Sequence, residues 1–255
     1  SKKPPADVAA KATTIVTMLP SSPHVLQVYT GENGIFSALQ PGSMLIECST
    51  IDPDSARKVA SESTTRGSQF VDAPVSGGTI GAQNATLTFM VGGEDGAVTR
   101  ATSVLELMGK NIVHCGGAGT GQVAKICNNL VLGITMAGVS EAFNLGTSLG
   151  IDASVLAKVV NSSSGRSWSS DTYNPCPGVM EGVPASRGYS GGFACDLMAK
   201  DLSLAVTAAS SSKAPLPLGA MAHQLYSLMS ARGDGGKDFS GIYRMLERQQ
   251  GQGAK

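Results

Sequence analysis

Hydrophobic positions divide the chain into two regimes. Through the first 120 residues they fall in short runs: 14–19, 43–48, 69–72, 86–91 and 111–115. Runs of four to six residues rich in Val, Ile, Thr and Phe, bounded by Pro, Gly, Asp or Ser, read as strands. Between them lie helical candidates. Residues 53–66 open with Pro53 at an acceptable first-turn position. Residues 95–108 offer Val98, Leu105 and Met108 as core contacts. Strands alternating with helices predict an α/β fold with a doubly wound parallel sheet, antiparallel pairing being allowed at its edges.

Beyond Gly121 the strand pattern stops. Residues 121–149 keep helical periodicity throughout, and 152–161 follow as a second helix. A Ser/Gly/Pro-rich loop runs from 162 to about 192, and helices resume over 194–211, 217–232 and 238–247. The organisation expected is therefore an α/β domain over 1–118, a connecting helix over 119–149 and an all-α domain over 150–255. The Gly/Gln-rich tail from Gln249 is expected to fray.

Composition narrows the function classes. With 19 basic and 19 acidic residues in 255, the chain lacks the electrostatic footprint of a nucleic-acid or anionic-membrane binder. At 42% hydrophobic and 15% charged it is expected to fold rather than stay disordered. No apolar run reaches the roughly 18 residues of a membrane span, and the first residues have no apolar signal-peptide core. Cys48, Cys115, Cys127, Cys176 and Cys195 are odd in number and form no Cys-x-x-Cys pair, which favours reduced thiols in an intracellular compartment. Neither they nor His24, His114 and His223 show metal-ligand spacing, so no metal site is expected.

Two stretches carry candidate chemistry. Gly116-x-x-Gly119-x-Gly121-x-x-x-Lys125-x-x-x-Asn129 follows a strand and opens the long helix, placing Lys125 and Asn129 four residues apart on one face. On the residues alone, a snorkelling lysine and a hydrated asparagine are the plainer reading. Asp72-Ala73-Pro74-Val75-Ser76-Gly77-Gly78 runs from a strand into a turn. There the two glycines and the Ser76 hydroxyl suit a small anion such as a carboxylate, or form an ordinary βα turn. Leu19-Pro20 and Ser49-Thr50 end two strands, where ligands of open α/β sheets collect. Trp168 is the sole tryptophan and reads as a core anchor beneath the polar loop or as a pocket wall. Gly119-Thr120-Gly121-Gln122-Val123-Ala124 fits a relaxed dinucleotide fingerprint. The helix after it is too long and no strand follows, so it is not one.

Taken together these stretches resemble the β-hydroxyacid dehydrogenase family, as does Lys200-Asp201-Leu202-Ser203-Leu204-Ala205. The resemblance runs to about Leu246. It implies an incomplete Rossmann-type sheet, because the family's opening strand, Gly-x-Gly-x-x-Gly turn and helix have no counterpart in these residues. With that unit missing, an exposed sheet edge and poor stability of the 255 residues alone are expected.

The activity implied is hydride transfer between NAD and a small 3-hydroxy acid. The first choice is 3-hydroxyisobutyrate giving methylmalonate semialdehyde in valine breakdown; the alternatives are reduction of another small β-hydroxy acid such as tartronate semialdehyde, or a non-catalytic binding or oligomerisation protein on this fold. Lys125 would be the general acid/base, with burial favouring its neutral amine over the ordinary pKa near 10.4, and Asn129 would hold the substrate oxygen. Ser76, Gly77, Gly78 and Trp168 would bind substrate; Leu19, Pro20, His24, Thr50 and Lys200 would bind NAD, His24 standing where family members carry Asn. A homodimer or homotetramer in the mitochondrial matrix is also implied.

Overall fold

The computed structural model describes residues 3–247; the tail from Gln249 lies outside them. The chain forms two compact units, 1–127 and 128–255, dividing within one long helix.

In the first unit, β1 (Thr14–Thr17), β2 (Met44–Glu47) and β3 (Gln69–Asp72) make a parallel ladder. β2 lies between β1 and β3 and is buried along its whole length, as a strand covered on both faces must be. Its side chains alternate between two cores. Met44 and Ile46 join Val71, Phe89 and Val91 under α5 (Asp95–Leu105), which contributes Ala97, Val98, Ala101 and Leu105. Leu45 turns the other way to Ile15, Phe70 and the helices α2 (Ser22–Thr30) and α3 (Pro53–Thr65), through Val25, Tyr29, Ala56 and Val59. Helices on both faces make the sheet doubly wound. A short helix, α1 (Pro5–Ala9), precedes β1.

The sheet is mixed beyond its edges, which the strand–helix alternation did not predict. β4 (Val75–Ser76) continues from β3, and both pair antiparallel with β5 (Leu87–Gly92). Residues 77–86 hold only the short helix α4 (Gly78–Gln83), too little chain for a parallel crossover. β6 (Gly109–Gly116) then pairs parallel with β5. It starts two residues earlier than expected because a Cβ at Gly109 would lie 2.4 Å from the Leu87 carbonyl oxygen, so only glycine pairs this closely.

The second unit is all helical. α6 (Thr120–Ser148) enters it, followed by α7 (Ala153–Ser162), α8 (Trp168–Asp171), α9 (Cys195–Ser212), α10 (Pro217–Met229) and α11 (Ile242–Leu246). Met136, Met198, Leu202, Tyr226 and Phe239 centre one core; Phe143, Ala157, Val183 and Tyr243 centre another. The predicted loop is tied down by the buried Asp238 carboxylate, which accepts from Tyr173 Oη and the Phe193 amide at 2.9 and 2.7 Å. α6 is 29 residues long and apolar enough on average to cross a bilayer, even without an unbroken apolar run. Its buried residues include Gln122, Lys125, Asn129 and Ser140 beside Met136 and Phe143, the mixture of a core helix.

Candidate functional site

β3 ends on Asp72, whose fully buried carboxylate accepts the Gly119 amide at 2.6 Å and the Gln122 amide at 2.9 Å. Burial pushes this carboxyl upward, and those backbone donors oppose the shift. A built-in carboxyl group thus fills the N-terminus of α6. Gly121 completes the junction: a Cβ there would stand 2.2 Å from the Met90 carbonyl oxygen and 2.8 Å from Asp72. The Gly119–Ala124 stretch is therefore a packing device whose amides already hold a carboxylate, and it has no place for pyrophosphate.

One turn further along α6, the buried Lys125 donates from Nζ to Ser76 Oγ at 3.2 Å. Ser76 closes β4, and the exposed Gly77 and Gly78 follow with φ of +134° and +61°. Side-chain-bearing residues rarely adopt these angles. An ammonium or amine, a hydroxyl and a glycine turn thereby adjoin one another, a set able to hold a carboxylate and exchange a proton beside it.

The carboxyl ends of β1 and β2 form a second ledge. Ser49 Oγ accepts the Leu19 amide, and Glu47 accepts the Ser49 amide, each at 2.7 Å. Glu47 also takes the Thr17 hydroxyl, which meets Tyr29 Oη at 2.8 Å. Desolvation raises the Glu47 carboxyl, against the hydrogen bonds from Ser49 and Thr17. Above this buried chain Leu19 and Thr50 are half-buried and Pro20 is exposed. His24, exposed near the start of α2, engages Ser21 Oγ through Nδ1 at 2.7 Å.

In the second unit Asn129, also on α6, donates from Nδ2 to Asp201 Oδ2 and accepts from Asn128. Lys200 Nζ lies 2.9 Å from Asp201 Oδ1, so the pair is not merely solvated. Trp168 is not a core anchor. It is half exposed and stacks on Tyr173 at 4.7 Å, and Tyr173 stacks on Phe239. A capping box between Ser167 and Ser170 holds α8 in the loop and fixes the indole outside the core.

Within the first unit the structure brings Lys125 to Ser76 and Leu19 to the residue before Thr50; within the second it gathers Asn129 and Lys200 on Asp201. Sequence reading assigned no role to Asp72, Glu47, Gln122 or Asp201. The only available signal was an acid ending each of two apolar strands, at Glu47 and Asp72. Among the described residues no three His, Cys, Asp or Glu side chains converge, and none of the five cysteines is disulfide-bonded.

The strand-end ledge fits a dinucleotide. Its backbone is fixed from below, its outer residues are accessible, and it lies where open sheets bind nucleotides. Residues 1–117 match the model of the NAD-binding domain of 6-phosphogluconate dehydrogenase. Residues 119–246 match the NAD-binding domain model of NADP-dependent 3-hydroxyisobutyrate dehydrogenase. A probable mitochondrial 3-hydroxyisobutyrate dehydrogenase of Dictyostelium discoideum is 59% identical over 96% of this chain and 76% of its own length. An NAD-dependent L-serine dehydrogenase of Pseudomonas aeruginosa is 48% identical over 96% of this chain and 83% of its own. The solved Mycobacterium tuberculosis 3-hydroxyisobutyrate dehydrogenase with L-serine superposes with a TM-score of 0.91 at 39% identity, covering 95% of this chain and 82% of that one. Sequence, fold and the three motifs agree: the chain belongs to the 3-hydroxyisobutyrate dehydrogenase family of NAD-dependent oxidoreductases.

Proposed function

We propose that this protein oxidises 3-hydroxyisobutyrate to methylmalonate semialdehyde with NAD, the valine-breakdown step, and that Lys125 moves the hydroxyl proton. The Lys125–Ser76 contact is the observation that carries the reading. Oxidising a secondary or primary alcohol requires both a hydride and a proton to leave. NAD, when bound, supplies the hydride acceptor. Lys125 Nζ takes the hydroxyl proton in oxidation and returns it in reduction. Ser76 receives its hydrogen bond from Lys125, so its own hydroxyl hydrogen is available for the substrate carboxylate. The Gly77 and Gly78 turn admits that carboxylate closely. Asn129, held by Asp201, presents its amide to the substrate oxygen. Recognition by neutral donors without an arginine fork selects small acids.

Leu19, Pro20, Thr50, His24 and Lys200 are assigned to NAD, and Trp168 to the substrate wall. Mitochondrial localisation follows the Dictyostelium relative's name, and a homodimer or homotetramer is the assembly we assign. L-serine is a second substrate, favoured by the Pseudomonas relative and the Mycobacterium structure; it too is a small 3-hydroxy acid.

The test is calorimetric titration of the full-length protein with NAD and NADP, followed by turnover of 3-hydroxyisobutyrate and L-serine. NAD binding with higher kcat/KM for 3-hydroxyisobutyrate supports the reading. Turnover of L-serine alone reassigns the substrate, and absence of dinucleotide binding rejects the activity.

A further inference from the structure

Gln122 is fully buried, although its amide reaches no other side chain of the proposed machinery. Oε1 accepts the Ile51 amide at 3.0 Å, and Nε2 donates to the Ser49 carbonyl oxygen at 2.8 Å. The two bonds bracket a single residue, Thr50. The orientation of the amide is forced, since a flipped side chain would set donor against donor and acceptor against acceptor. The backbone amide of the same Gln122 is held by Asp72 at 2.9 Å. Gln122 lies three residues before Lys125, and Asp72 opens the stretch that ends in Ser76, Gly77 and Gly78.

We propose that Gln122 is a positioning residue for the dinucleotide: it clips the Thr50 segment to the first turn of the Lys125 helix. This rests on the assignment of Thr50 to NAD made above. A side-chain amide is suited to the task because it supplies one donor and one acceptor at the separation that a Ser49 carbonyl and an Ile51 amide present. A carboxylate lacks the donor, and an aliphatic side chain lacks both. The clip also explains a glutamine inside an otherwise packed junction, where two unmet backbone groups would be costly. NAD binding is thereby registered to the lysine through hydrogen bonds that no ligand need form.

The experiment compares full-length wild type with Gln122→Met and Gln122→Glu, reading NAD affinity by calorimetry and Ile51 amide hydrogen exchange by NMR in protein without NAD. In Q122M the Ile51 amide should exchange faster and NAD should bind roughly tenfold more weakly, as expected for two lost hydrogen bonds. The KM for NAD should rise with it, while kcat at saturating NAD changes less than about threefold. In Q122E the protonated acid restores the donor to Ser49 and the ionised acid removes it. NAD affinity should therefore approach wild type at low pH and weaken as pH rises, against a wild-type control in which Glu47, Asp52 and Asp72 titrate identically. Faster Ile51 exchange with unchanged NAD affinity would overturn the proposal, as would a Q122E profile parallel to wild type. If Q122M does not fold, the Q122E comparison decides. Wild-type protein that fails to bind NAD rejects the function itself, whereas wild-type binding with indifferent variants rejects only the clip.

Discussion

Lys125 Nζ lies 3.2 Å from Ser76 Oγ, although 49 residues and two strands of backbone separate them. The contact exists because Asp72 fastens the first turn of α6 to the end of β3, four residues before Ser76. A general acid/base must meet the reacting oxygen through one defined atom. Lys125→Met keeps the length and apolar stem of the side chain but removes that atom. It should lower kcat about 10²- to 10⁴-fold and leave the NAD dissociation constant within about twofold. Steady-state kinetics beside calorimetry separates the two; equal losses in both would assign Lys125 to cofactor binding.

Ser76→Ala tests the other half of the pair. Removing one neutral hydroxyl donor should raise KM for the hydroxy acid by roughly 3- to 10-fold, the worth of one hydrogen bond. KM for NAD should stay unchanged. A fall in kcat with KM constant would mean that Ser76 serves the lysine and not the carboxylate.

The architecture was legible where burial dictates pattern. β2 is wholly apolar until Glu47, and α3 announces itself by Pro53, before which Asp52 accepts the Ser55 amide at 2.7 Å as a cap that was not read. The mixed sheet was not legible, because the direction of β5 depends on how much chain links it to β4, and the two-residue β4 has no periodicity to read. Motif spacing singled out Lys125 and Ser76, and the fold brings the two side chains together. Asp201 and Gln122 were missed for a physical reason: each acts on groups 71 to 73 residues away, and hydrogen-bond partners at that range leave no local pattern. Of the two readings of Trp168, only the core anchor fails, because its stacking partner Tyr173 is held at the loop by Asp238.

Asp201 governs how Asn129 is presented. Its Oδ2 takes the Asn129 Nδ2 hydrogen and its Oδ1 pairs with Lys200. Asp201→Leu should free the asparagine amide and raise KM for the hydroxy acid about 10- to 150-fold, the range for hydrogen bonds to a charged group. Asp201→Asn retains an acceptor and should recover most of that loss. Identical defects in both variants would point to packing around α9 instead.

Gly121 supports the junction sterically. In Gly121→Ala the new methyl would fall 2.2 Å from the Met90 carbonyl oxygen, against backbone that has no room to retreat. A loss of about 2–4 kcal/mol is expected from overpacking at a rigid site. Gly117→Ala provides the control, since nothing lies within 4 Å of a Cβ there. Denaturant unfolding of both should separate them; similar midpoints would show that α6 shifts freely on the sheet.

Glu47 makes the first unit sensitive to pH. Its carboxyl is fully buried and is raised from the ordinary 4.5 by desolvation, despite bonds from Ser49 and Thr17. The folded state therefore holds this proton more tightly than the unfolded chain does. The stability it contributes is complete below about 4.5, and it declines as pH rises through the higher folded value. Glu47→Gln is isosteric: its carbonyl can accept from the Ser49 amide and its amide can donate to Thr17 Oγ. The variant should match wild type below pH 4.5 and become progressively more stable than wild type above it. Chemical denaturation at several pH values from 4 to 8 measures the difference. A difference independent of pH would mean that Glu47 titrates alike in the folded and unfolded chain. A variant that loses stability as pH rises would mean instead that Glu47 acts as an ion bound more tightly than its neutral form. In either case the buried chain from Tyr29 through Thr17 and Glu47 to Ser49 would not hold a proton beneath the strand ends.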